Sequence, residues 1–87
     1  MVADVVAIYL ESEEELSERM RVAAAREDWP EVARAAHALR GAVLAIAAHD
    51  VAPTLHELEV SARNGAAMEP LCDALHALGE LRSRLSP

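Results

Sequence analysis

The sequence predicts an all-α protein: an antiparallel up-down-up-down four-helix bundle with a short N-terminal helical segment. Apolar residues recur at helical spacing along almost the whole chain. Helix-start and helix-stop residues, Pro30, Pro53 and Asn64-Gly65, fall between the periodic stretches. The apolar pool, 53% of the chain, contains no Phe, and Tyr9 and Trp29 are the only aromatic residues. An interior built from Leu, Val, Ile, Met and Ala suits closely packed helices better than sheets.

The elements follow in order. Asp4 to Leu10 reads as a short apolar helical segment packed as a lid on the bundle. Ser12 followed by Glu15 has the spacing of a capping box, so the first bundle helix is expected to start there and run to Arg26. Leu16, Met20 and Ala23 form its inner stripe, and Glu13-Glu14-Glu15 is a solvated acidic first turn. Asp28 caps the next helix, with Pro30 in the first turn and Glu31 three residues on, and this helix runs to about Ala48. A further helix follows from Pro53 to about Asn64, with Val51, Leu55, Leu58 and Ala62 inside. The last begins near Glu69 and turns Leu71, Leu75, Leu78 and Leu85 inward. Short connections between helices of this length make antiparallel neighbours.

Eighty-seven residues form a single domain, 1–87, which buries only about 60–65% of its unfolded surface and leaves little room for a deep substrate cavity. The net charge is −7 and every basic residue is Arg. An acidic chain without a basic patch argues against nucleic acid and against anionic membrane surfaces. A lone cysteine, Cys72, fits a reducing compartment, and its place beside the last apolar stripe predicts a buried, inert thiol. The first residues lack the basic end of a secretory signal, and no apolar run approaches the roughly 20 residues that span a bilayer. A cytoplasmic monomer without membrane insertion is expected.

The helix from Asp28 carries most of the functional information. Advancing about 100° per residue, Val32, Ala35, Ala36, Leu39, Val43 and Ile46 share one arc, the core face. His37 falls on the opposite side, with Arg34, Gly41 and Leu44. Gly41, one turn beyond His37, costs a helix about 1 kcal/mol relative to alanine, and this helix uses alanine freely elsewhere. Two readings fit it: drift at a tolerant surface position, or clearance for a partner approaching the imidazole. From Val32 to His49 there is no acidic residue, and Arg34 and Arg40 stand three residues either side of His37. Two guanidinium groups flanking an outward imidazole suit a phosphate dianion. A neutral imidazole is a competent nucleophile at cellular pH. Phosphoryl transfer needs mainly in-line positioning and charge neutralisation, so a carrier can be small while its partner supplies Mg²⁺.

Ala36-His37-Ala38-Leu39-Arg40-Gly41-Ala42 resembles the H-x-L-K-G-S/A signature of histidine-containing phosphotransfer (HPt) domains of two-component phosphorelays. The register continues through Ile46-Ala47-Ala48, Val51, Leu58-Glu59 and Ala62-Arg63-Asn64-Gly65. Upstream, Tyr9-Leu10-Glu11 and Asp28-Trp29 look like the family's Phe-Leu-Glu and the turn before its active helix. The resemblance implies a phosphorelay intermediate with His37 as phosphoacceptor and no catalysis of its own. Arg40, with Arg34, would support the phosphate, and Gly41, Leu44 and Ala33 would lie on the docking surface. Receiver domains of response regulators and an upstream hybrid histidine kinase are the implied partners. No cofactor is implied, Mg²⁺ being expected on the partner receiver. Arg40 stands where Lys is usual, Ala42 where Ser is frequent, and Ala47 replaces the usual Gly, a change that bears on the helix end rather than the chemistry.

The remaining histidines, His49, His56 and His76, form no three-ligand set and read as solvated surface residues. Two other readings stay open: an HPt-like module that docks to a kinase or receiver without being phosphorylated, and a dimerising bundle that covers the outer face of the His37 helix.

Overall fold

The computed structural model describes residues 2–65 and 67–85. Met1 and Ser86-Pro87, the ends of the expected 1–87 domain, lie outside the described residues, as does the side chain of Asp4. Four helices make up the chain: α1 (Val2–Ala25), α2 (Trp29–Ala45), α3 (Ala52–Arg63) and α4 (Met68–Leu85). No strand occurs among the described residues. Helix α2 is central, packed on both α1 and α3, while α4 lies along α3 and closes back on α1 over a shorter stretch.

The expected break near Ser12 is absent, and α1 runs through it for 24 residues. No Gly or Pro interrupts Val2 to Ala25, so the backbone N–H groups that a capping box would satisfy already have carbonyl partners one turn back. The inner stripe also starts earlier than predicted. Tyr9, Glu13, Ser17 and Met20 are all buried at helical spacing. The opening residues are no lid, since Val5 and Ile8 remain 48% and 64% exposed.

Glu13, expected in a solvated turn, is instead buried and held from three sides. Ser17 Oγ donates to its Oε1 at 3.0 Å, and Arg82 Nε and Nη2 donate to its Oε2 at 3.1 and 2.7 Å. Arg82 Nη2 also donates to the Leu10 carbonyl at 2.9 Å, so one side chain of α4 fastens two turns of α1. The phenol of Tyr9 lies in the same region. Burial first, then the Glu13 charge, pushes its pKa up to about 12, against the opposing pull of Arg82.

Helix α2 starts as predicted: the Glu31 N–H donates to Asp28 Oδ1 at 3.3 Å, with Pro30 in the first turn. It ends at Ala45, three residues short of Ala48. Ala47 N–H bonds the Leu44 carbonyl and Ala48 N–H the Val43 carbonyl, at 3.0 and 2.8 Å. This paired closure puts Ala47 at φ 61°, in the left-handed region. The same closure ends α1, with Glu27 at φ 56°, whereas α3 ends on Gly65 at φ 79°. A left-handed conformation costs an L-residue about 1–2 kcal/mol, partly offset because glycine has more freedom to lose on folding. Ala47→Gly is therefore expected to stabilise the fold by about 0.5–1 kcal/mol, read as a rise in melting temperature by calorimetry. An unchanged or lower melting temperature would contradict the reading of this helix end.

The stripes on α3 and α4 lie inward: Val51, Leu55, Leu58, Ala62, Leu71 and Leu78 are buried, joined by Ala74 and Leu81. Leu75 and Leu85 are partly buried against that core. Cys72 is exposed, not buried as expected. It sits about 100° around the helix from Leu71, off the stripe that Leu71, Ala74, Leu78 and Leu81 define.

Candidate functional site

On α2 the core face is Val32, Ala35, Ala36, Leu39 and Val43, each no more than 1% exposed, with Ile46 half-buried at the end. The opposite face presents His37, whose side chain is 62% exposed, with Gly41 and Leu44 further along. Beyond its neighbours and the backbone of its own helix, a Cβ at Gly41 would meet no atom of the described residues within 4 Å, so no packing among them requires glycine there. Ala33 does not belong to this surface. It is 3% exposed, packed in the core beside Val32 and Ala36, so it is removed from the docking positions.

The ring of His37 is held from α3. His37 Nδ1 lies 3.2 Å from Glu59 Oε1 and 3.5 Å from Arg40 Nη2. These contacts demand opposite states of Nδ1, since a carboxylate only accepts and a guanidinium only donates. The shorter contact to a buried carboxylate prevails, which places hydrogen on Nδ1 and the free lone pair on Nε2. Among the described residues Nε2 has no hydrogen-bond partner, and it belongs to the exposed side of the ring.

Glu59 is only 5% exposed, although it is a carboxylate. It shares the inner stripe of α3 with Ala52, Leu55 and Ala62. Arg63 Nη2 donates to its Oε2 at 2.7 Å, and Arg40 Nη2 stands 3.9 Å from Oε1. Burial alone would raise its pKa. The hydrogen bond from His37, the attraction of that ring whenever it is protonated, and the positive charges of Arg63 and Arg40 outweigh burial and hold the carboxyl below its usual 4.5. Its residence at a core position was legible in the sequence as an acid on an apolar stripe. Its partner, 22 residues away on another helix, was not.

Arg40 Nη1 donates to His56 Nδ1 at 2.7 Å, so Arg40 spans from α2 to α3 beside the His37 ring. His56, expected to be a solvated bystander, is thus part of the same network. Arg34 is not brought to His37. Its Nη2 meets Glu31 Oε2 at 3.4 Å, and Glu31 also receives Arg19 at 3.1 Å. His49 lies in the α2–α3 turn, and His76 pairs only with Glu80, at 2.6 Å on the surface of α4. Among the described residues no three His, Cys, Asp or Glu side chains converge as a metal site. None of the helices is long and apolar enough to cross a membrane.

The site is an outward histidine in mid-helix, anchored through one ring nitrogen to a carboxylate of the next helix, an arrangement that suits a group carrier. The comparison with protein families agrees: the model of the Hpt domain matches residues 4–86. The chain belongs to the Hpt domain family, whose members carry phosphoryl groups in two-component systems and interact there with receiver domains and kinases. No curated protein and no solved structure matches the chain.

Proposed function

We propose that this chain is a phosphorelay intermediate that takes a phosphoryl group on His37 Nε2 from a receiver aspartate or kinase and passes it to a receiver aspartate. The observation that carries the reading is the division of labour on one ring: Nδ1 is bound to buried Glu59, and the side chain that carries Nε2 is 62% exposed.

With hydrogen on Nδ1, the Nε2 lone pair attacks phosphorus in line. The Nε2–P bond forms as the acyl O–P bond of the donor breaks, and the donor leaves as a carboxylate. The ring gains positive charge, which the Glu59 carboxylate 3.2 Å from Nδ1 offsets without any proton having to leave. Transfer onward is the same step reversed with another aspartate. The chain supplies position and charge; Mg²⁺ would arrive with the receiver, around whose aspartate the charge develops. Arg40 adds a fixed cation beside the ring, while Gly41 and Leu44 offer a flat, partly apolar approach.

Incubation with a phosphorylated receiver is expected to label the chain with an acid-labile, alkali-stable phosphate, and His37→Gln is expected to abolish that label. Undiminished labelling of the variant would refute His37 as acceptor.

A further inference from the structure

Arg19, Arg34, Arg63, Arg82 and Arg84 all give hydrogen bonds to carboxylates, at 2.7–3.4 Å. Arg40 does not. Its short hydrogen bond, 2.7 Å from Nη1, goes to Nδ1 of His56. Among the described residues the one carboxylate oxygen within 4 Å of it is Glu59 Oε1, 3.9 Å from Nη2. Glu59 is already engaged by Arg63 at 2.7 Å and by His37 at 3.2 Å. A guanidinium only donates, so His56 Nδ1 accepts and the ring is neutral, with its hydrogen on Nε2. Arg40 is therefore a cation whose best partner is an uncharged ring.

The place of that partner matters. The bond to His56 keeps the guanidinium on the Nδ1 side of His37, with Nη2 3.5 Å from that atom. A phosphoryl group on Nε2 would sit across the ring. Its oxygens carry charge, and a charge-assisted bond between guanidinium and phosphate is stronger than one to a neutral acceptor. His37, Arg40 and His56 line one open groove of about 570 Å³, so the guanidinium has room to turn toward Nε2 without disturbing the core. The Arg40 side chain is 29% exposed, and its fork can exchange one acceptor for another.

We propose that His56 is a parking acceptor, which holds Arg40 while His37 is bare and gives it up when His37 carries phosphate. Loss of the His56 bond then counts against the phosphorylated chain. His56 thereby lowers the share of phosphoryl groups that His37 retains and favours their passage to a receiver. The covalent step is unchanged: the Nε2–P bond forms as the receiver's acyl O–P bond breaks, or the reverse. His56 touches neither phosphorus nor Nε2 and acts through Arg40, as a positioning residue. This role rests on the phosphocarrier reading above.

The test is the equilibrium of the phosphoryl group between the chain and a receiver domain from its own organism, charged with acetyl phosphate and freed of the excess. His56→Leu is expected to shift it about fivefold toward the phosphorylated chain. His56→Asn, whose side-chain oxygen accepts in place of Nδ1, is expected to stay within about twofold of wild type. In an Arg40→Gln background His56→Leu should move nothing, whereas simple damage to α3 would act in both backgrounds. A second readout is the ¹⁵N signal of His56 Nδ1, which should change when phosphoramidate phosphorylates His37 in the wild type and stay put in Arg40→Gln. Four results overturn the parking role and leave the carrier reading standing: no shift or a shift toward the receiver in His56→Leu, an equal shift in His56→Asn, an equal shift without Arg40, or a His56 signal indifferent to phosphorylation. A wild-type chain that no charged receiver labels overturns both.

Discussion

Replacing Glu59 by alanine is expected to slow phosphorylation of His37 about 100-fold, and by glutamine about tenfold. Partners that orient a metal-bound imidazole through its second nitrogen are typically worth about 10–100-fold, and the same scale is expected for a ring that reacts with phosphorus. Glutamine keeps an acceptor for Nδ1–H but loses the charge that balances the ring as phosphorus bonds to Nε2. A hydrogen bond to a charged group exceeds a neutral one by about 1–1.5 kcal/mol, roughly five- to tenfold in rate. Alanine removes both acceptor and charge. The readout that separates orientation from mere support of the fold is the ring tautomer: ¹⁵N spectra of His37 should show hydrogen on Nδ1 in the wild type and a shift toward Nε2 in Glu59→Ala. A tautomer unmoved by Glu59→Ala would remove the basis for its positioning role. The same group makes stability depend on pH. Its folded pKa lies below the unfolded value near 4.5, so its contribution is fully present above that value. It is lost as pH falls through the depressed folded pKa. An acid titration of the melting temperature should therefore drop less steeply below pH 4.5 in Glu59→Gln than in the wild type.

Arg82→Ala is expected to cost about 2–3 kcal/mol of stability. Breaking a fully buried ion pair costs about 3–5 kcal/mol because the abandoned charge stays buried, and that figure is reduced here since the Arg82 side chain is 38% exposed and water reaches it. Left behind are Glu13, 6% exposed, and the Leu10 carbonyl. For a domain of this size the loss corresponds to a melting temperature lower by about 10–20 °C. The double change Glu13→Leu with Arg82→Met, which removes both charges and keeps the volume apolar, is expected to recover most of it. Equal melting temperatures for Arg82→Ala and the wild type would show that the pair fastens nothing. The pair joins α1 to α4, whereas His37 stands on α2 and bonds to α3, so transfer rates measured well below the melting temperature should be unaffected by the double change.

Sequence periodicity was enough to place four helices and to turn His37 outward, because a helical face is a local property: a 100° step per residue is the same in any helix. Asp28, Asn64-Gly65 and the acid-free run from Val32 to His49 were equally legible, each acting on its own turn or on residues three and four away. Short-range signals misled in two places. Ser12-x-x-Glu15 has cap spacing, but it lies inside an unbroken helix, where no orphan N–H groups exist to be capped. The helix of His37 ends early at a left-handed Ala47 that no local rule selects, and packing of Ala48 and Val51 into the core overrides alanine's preference.

What the chain order alone determined is therefore the set of helices, their inner stripes, and an imidazole standing in water between two arginines and a glycine. Tertiary packing decided what that imidazole touches. Glu59 and His56 reach it or its neighbour from a helix 16 to 22 residues away, Arg34 turns aside to Glu31, Ala33 is buried, and Glu13 finds Arg82 across 69 positions. For the two buried carboxylates the physical reason is the same. Each has a donor on its own helix, Arg63 or Ser17, and is completed by a partner from another element. Which partner it meets depends on how the helices cross, a relation that no periodicity within one helix encodes.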